Sequence, residues 1–294
     1  MSFVTVEPLQ LAPILITGVL YNRRVATLSG TPRAVPALRQ WSFYGGIAVF
    51  LAAVTLLGKI SDELFAAHMA EHLLLADVGS LLIVLGLTGP VLAPVLRLGL
   101  AAPLRVLAHP VVALVIWTAN LYFWHLTPVH EAAVEHSWVH ALQHMGFVVA
   151  GANVWMALFG PLPSPAWFGT AAKAGYILGV RLISSVLANV FLFGGGAFYS
   201  VYAAGERSHG VSAVADQNTA GAVMMVEESI LTICLFAWLF LRAARESEER
   251  QELLDDAARM GVELDPARAA RAAAAGKAEQ LRERLGERPD KPEE

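Results

Sequence analysis

The chain has 294 residues, 56% of them hydrophobic and 16% charged, and a positive mean hydropathy. That balance excludes a soluble globular domain of this length and reads as an integral protein of the lipid bilayer. The formal charge of −4 contains no basic block, so nothing points to nucleic acid, and the single cysteine, Cys234, rules out an intrachain disulfide or a thiolate metal motif.

The first apolar stretch, about Leu9 to Tyr21, is short for a span of about 20 residues. Its start, MSFVTVEP, carries Glu7 and no basic residue, so it reads as a retained first helix and not as a signal peptide. A basic linker with Arg23, Arg24, Arg33 and Arg39 follows. Further helices are predicted at about Trp41 to Leu57, Leu64 to Leu87, His109 to Leu126, Ser137 to Phe159, Ala171 to Phe193 and Gln217 to Leu241, with Gly89-Pro90, Pro128, the Pro161-Pro163-Pro165 cluster and Gly194-Gly195-Gly196 as breakers. The segment carrying Arg97 and Arg105 is read as a connection. The prediction is therefore an all-α, polytopic membrane bundle of seven transmembrane helices.

Charge sets its orientation. Loops 1, 3 and 5 hold seven Lys or Arg (Arg23, Arg24, Arg33, Arg39, Arg97, Arg105, Lys173) against two in loops 2, 4 and 6 (Lys59, Arg207). Basic loops face the cytoplasm, which puts the N-terminus outside and the C-terminus inside. Eleven of the 21 basic and 14 of the 25 acidic residues follow Leu241. The chain thus divides into a membrane domain, 1–242, and a charged cytoplasmic tail, 243–294, partly helical and disordered at its end.

Five of the nine histidines fall in the 21 residues from His125 to Met145, and His136, His140 and His144 are spaced by four. On a helix that spacing stacks imidazoles along one face, about 6 Å apart along the axis. His68 and His72 form a second such pair. In the predicted topology both pairs lie at outer helix ends, level with His125 and with His130 in the short outer loop. Helix N-termini keep imidazole neutral, the form that binds metal. The candidate ligands are His68, His72, His125, His140 and His144, with Met69, His130, His136 and Asp216 in second rank. Neutral imidazole suits zinc, copper, nickel and iron, and the thioethers of Met69 and Met145 favour copper over zinc or haem.

A second polar layer is expected near the midplane, where Asp77, Arg181, Glu227 and Glu228 each lie about 15 to 20 Å from their helix entrances. A charge there faces a partner or a wet cavity. An ion pair between Arg181 and one of the acids is the structural reading, and a polar path for protons or a cation is the functional one.

The HMAEHLLL segment at 68–75, Leu-Gly-x-x-Gly-Pro at 85–90, Trp124-His125, His140-x-x-Gln143-His144 with Trp155 and Pro161, and Asp216-Gln217 with Ala220-Gly221 and Met224 resemble the CtaG family of membrane proteins. These are assembly factors of caa(3)-type cytochrome c oxidase, and the resemblance covers about residues 10–242. Gln143 stands where an acid is expected, and Glu227-Glu228 replace an apolar continuation. The resemblance implies a non-enzymatic role in the cell membrane, delivering copper from an outer-face histidine site to the catalytic subunit of the haem-copper oxidase. Two alternatives differ in class. A copper transporter would need the midplane acids to carry the site inward. A zinc-dependent intramembrane hydrolase would need an acid acting on zinc-bound water, with Glu71, Asp216, Glu131 and Glu135 in reach.

Overall fold

The computed structural model describes residues 8–286, and these contain helices and no strand. The chain divides into two compact units, Met1–Thr232 and Ile233–Glu294.

The first unit opens with α1, Pro8–Leu28, which covers the predicted Leu9 to Tyr21 and runs on through Arg23 and Arg24, expected in a linker. α2 (Ala37–Ser61) and α3 (Phe65–Gly86) follow, then the helical segment α4 (Gly89–Leu107). Next come α5 (Pro110–Trp124), α6 (Thr127–Glu135), α7 (Ser137–Phe159), α8 (Thr170–Phe193), the short α9 (Ala203–His209) and α10 (Ala213–Arg259). Six of these helices are long and apolar enough to cross a membrane, and the bent pair α5 and α6 makes a seventh if it counts as one span. Large apolar side chains such as Leu182, Val186, Phe193, Val226 and Ile230 are exposed on helix surfaces. Water would not tolerate so many, and lipid does.

The predicted elements differ from the observed ones in several places. The connection between the third and fourth predicted helices is itself helical, and long and apolar enough to cross a membrane. Gly99, at φ +81°, kinks it in the turn Leu96–Leu100 between Gly89–Val95 and Ala101–Leu107. The outer loop holding His130 is α6, bent 74° from α5. The last helix runs on from the predicted Leu241 to Arg259, because the Ala, Glu and Arg that follow are strong helix formers.

Backbone proximity brings α3 and α7 together. Gly151 of α7 packs so closely on Ala76 of α3 that an added Cβ would overlap the Ala76 carbonyl. Trp155 Nε1, one turn further along α7, donates to Ala76 O at 3.2 Å. That carbonyl lies in a π-helical turn, Leu74–Gly79, a local widening often found at functional sites. Gly146 does the same against α5, where Asn120 Oδ1 and Trp124 occupy the space of a side chain. Three helices therefore meet at the level of the histidines because small residues let them.

The second unit has its own apolar cluster. Leu253 and Ala257 of α10 pack with Leu264, with Ala269 of α11 (Pro266–Ala274), and with Leu281 and Leu285 of α12 (Ala278–Gly286). Arg282 pins α12 to α10 through Asp256 at 2.8 Å and Glu252 at 3.2 Å. The tail thus holds three helical stretches, the end of α10 to Arg259, α11 and α12; its expected disordered end, from 287, lies outside the described residues.

Candidate metal centre

α3 begins at Phe65, where the preceding Leu64 is extended and offers no side-chain cap. The cap comes from far along the chain. Asp216, in the first turn of α10, accepts from the Phe65 amide at 2.7 Å and from the Ala66 amide at 3.1 Å. Both of its oxygens are engaged by backbone, so this second-rank metal candidate is placed as the cap of α3 and outside the ligand group. Replacing Asp216 with alanine should cost about 1–2 kcal/mol of stability, the upper part of the range for a lost N-cap, and asparagine should restore much of it. Thermal unfolding in detergent measures this.

From that anchored start, His68, Glu71 and His72 project inward within about one turn of α3, and none is more than 4% exposed. α7 starts at Ser137 after the extended His136 and supplies His140 and His144 one turn apart, at 6% and 5% exposure. The two helical pairs face each other. The ring centroids of His68 and His140 are 5.1 Å apart and nearly parallel, and those of His72 and His144 are 5.4 Å apart. His68, His72 and His140 each offer a ring nitrogen within 4.8 Å of the others, and Glu71, His140 and His144 do the same with a carboxylate oxygen. His144 Nε2 lies 3.7 Å from Glu71 Oε1.

The groups around this core differ. His130, expected in a solvent-facing loop, is fully buried in α6, with its ring 4.8 Å from His68 and its Nε2 2.9 Å from Tyr202 Oη. Burial holds the Tyr202 phenol well above its ordinary pKa, and the nearby Tyr199 adds to this. His125 lies at the α5 to α6 bend, stacked 6.0 Å from His130, with Nε2 3.3 Å from Met69 Sδ. Met69 is buried, whereas Met145 is exposed on the surface of α7. His136 is exposed too, its Nδ1 3.2 Å from Ala132 O. Of the nine predicted ligands, Asp216 and His136 are not brought to the cluster. Glu71, weighed from the sequence only as a hydrolase acid, is.

The core is polar, buried and unsatisfied. Both ring nitrogens of His68, His72 and His144, and His140 Nε2, lack a hydrogen-bond partner, and the Ser61 hydroxyl, which lies 2.8 Å from Gly58 O, also faces the buried Glu71 carboxylate. Each such orphan costs about 1–3 kcal/mol. Either of the two three-donor groups, which share His140, fits a transition-metal ion, whose bonds would satisfy several orphans at once. A polar cavity of about 260 Å³, lined by Gln10, Asp62, Glu135, Ser137 and His140 among others, leads to His140. Asp62 Oδ1 is 4.0 Å from His140 Nδ1.

Below the cluster, Arg181 of α8 is 5% exposed. It donates to Asp77 Oδ1 at 3.1 Å and Oδ2 at 3.4 Å, lies 3.9 Å from Glu227 Oε2, and stacks 5.5 Å from the Trp155 ring. Glu228 Oε2 accepts from the Ser185 hydroxyl at 2.6 Å.

The chain is similar to uncharacterized proteins of Mycobacterium bovis and Mycobacterium tuberculosis, each 28% identical over 137 residues, covering 40% of this chain and 20% of the relative. A third, from Mycobacterium leprae, is 24% identical over 183 residues, covering 56% and 27%. The aligned stretches thus span only 20% to 27% of these relatives' length, and no solved structure matches. The description "cytochrome c oxidase caa3 assembly factor" matches residues 19–246, which take in α2 to α9 and every residue of the cluster. The chain belongs to the cytochrome c oxidase caa3 assembly factor family.

Proposed function

We propose that the protein holds copper in the buried cluster of His68, Glu71, His72, His140 and His144, at the outer side of the cell membrane, and passes it to the catalytic subunit of the oxidase. The observation carrying this reading is the set of facing, unpartnered imidazoles with the Glu71 carboxylate beside them, buried in two overlapping three-donor groups that share His140. Family membership supplies the destination, cytochrome c oxidase assembly. The outward orientation rests on the excess of Lys and Arg in alternate loops. The cavity that reaches His140 past Asp62 and Glu135 is a route for a cation, since acids at a mouth raise its local concentration. Loading and release need no covalent chemistry by the protein. His and Glu donors exchange an ion with a docked acceptor site, and Cys234 is not among the donors of either group.

Metal analysis of purified protein, reduced and oxidised, tests the proposal. About one copper per chain is expected, lost in Glu71→Gln/His140→Ala. Protein that binds zinc and no copper would sink the copper reading. It would favour an intramembrane hydrolase, for which Glu71, within reach of the same imidazoles, is the acid that a zinc-bound water requires. A Soret band would point to haem.

A further inference from the structure

We propose a second, softer metal site beneath the histidine and carboxylate cluster, built from Met69, His125 and Met224, that takes a monovalent cation of the copper(I) class. Its first support is a contact that hydrogen bonding does not explain. His125 Nδ1 lies 2.6 Å from the Leu121 carbonyl oxygen, which can only accept, so Nδ1 carries the hydrogen and the neutral ring keeps its lone pair on Nε2. That lone pair faces the Met69 sulfur at 3.3 Å. Two electron-pair donors at this separation are joined favourably by a cation between or beside them.

The second support is a cavity of about 20 Å³ at the same place, lined by Met69, His72, His125 and Met224, with Asp77 and Glu228 also on its wall. It is large enough for one water-sized occupant. Met69 and Met224 are 2% and 3% exposed. Thioether and imidazole donors select copper(I) among biological cations, whereas the carboxylate and imidazoles of the upper cluster suit a divalent ion. His72 is a member of the upper group and also lines this cavity, so a copper(I) ion can pass between the two at constant oxidation state without returning to water. Only this handover rests on reading the upper cluster as a metal centre.

The experiment uses full-length protein in detergent, titrated with Ag(I) as a soft monovalent probe and separately with Co(II), which prefers nitrogen and oxygen. X-ray absorption of the silver complex should show a sulfur shell. In Met69→Leu/Met224→Leu that shell should disappear and Ag(I) affinity fall at least tenfold, with Co(II) binding unchanged. An intact sulfur shell and unchanged affinity in the double variant would overturn the proposal. Selenomethionine-labelled protein of native sequence gives a second readout that no folding defect can confuse. A selenium neighbour to silver is expected there, and its absence rejects the site. Retained silver–sulfur coordination with no Co(II) binding would instead remove the upper cluster as a metal centre and leave this site standing.

Discussion

Replacing His72 or His144 with alanine should weaken metal binding by more than about 100-fold, because loss of a supporting residue around a metal already costs 10–100-fold and these rings would be ligands themselves. Neither ring has a hydrogen-bond partner, so truncation removes packing but breaks no hydrogen bond, and helix content should persist. Cells carrying either variant should make the oxidase polypeptides but leave them short of copper, with total cytoplasmic copper little changed. The reason lies in where donors stop. The remaining two histidines offer no matching set: His109 packs against Trp167 with ring centroids 5.9 Å apart, and His209 is exposed and 2.7 Å from Glu63 Oε2. A carrier needs a release site on the far side, whereas a loading factor needs only one that a partner can reach. Copper uptake into sealed vesicles that depends on His72 and His144, with normal oxidase metallation in the variants, would turn the choice to a transporter.

Spacing made much of the site readable before any coordinates. Histidines four residues apart on two predicted helices had to stack on each, and alternating loop charge put both pairs at one level, where α3 and α7 bring their rings within 5.4 Å. Glu71 is legible in the sequence only as an acid in reach of a zinc-bound water, since nothing in its own segment says which face of α3 is covered. Only the convergence of α7 shows that this face is covered. His130 was misread for a related reason: a stretch with Pro128 and two acids resembles an outer loop, but α6 folds back at 74° and buries it under Tyr202. Asp216 could not be placed from sequence because its role as a cap joins residues 151 positions apart. The π turn at Leu74–Gly79 has no sequence signature either, yet it rephases α3. In an uninterrupted helix Asp77 would sit about 140° around from His72, and here both line one cavity.

Replacing Arg181 with leucine should destabilise the membrane unit by about 3–5 kcal/mol, the cost of removing one partner from a buried ion pair. Arg181 is the only guanidinium in contact with Asp77 among the described residues, and Asp77 is 3% exposed. Without it a carboxylate is left charged or must take up a proton in an apolar surrounding. Glu227 would lose its nearest cation as well, at 3.9 Å, whereas Glu228 keeps its hydrogen bond from Ser185. The double variant Arg181→Leu/Asp77→Leu, which removes both charges, should recover most of the loss, since a buried pair replaced by apolar groups is close to neutral. Unfolding midpoints in a fixed detergent measure both. If Arg181→Leu unfolds like the unaltered protein and loses only oxidase copper, the pair is no lock. The Asp77, Glu227 and Glu228 layer would then be a path by which charge moves inward from the histidines, and Arg181 the gate on it.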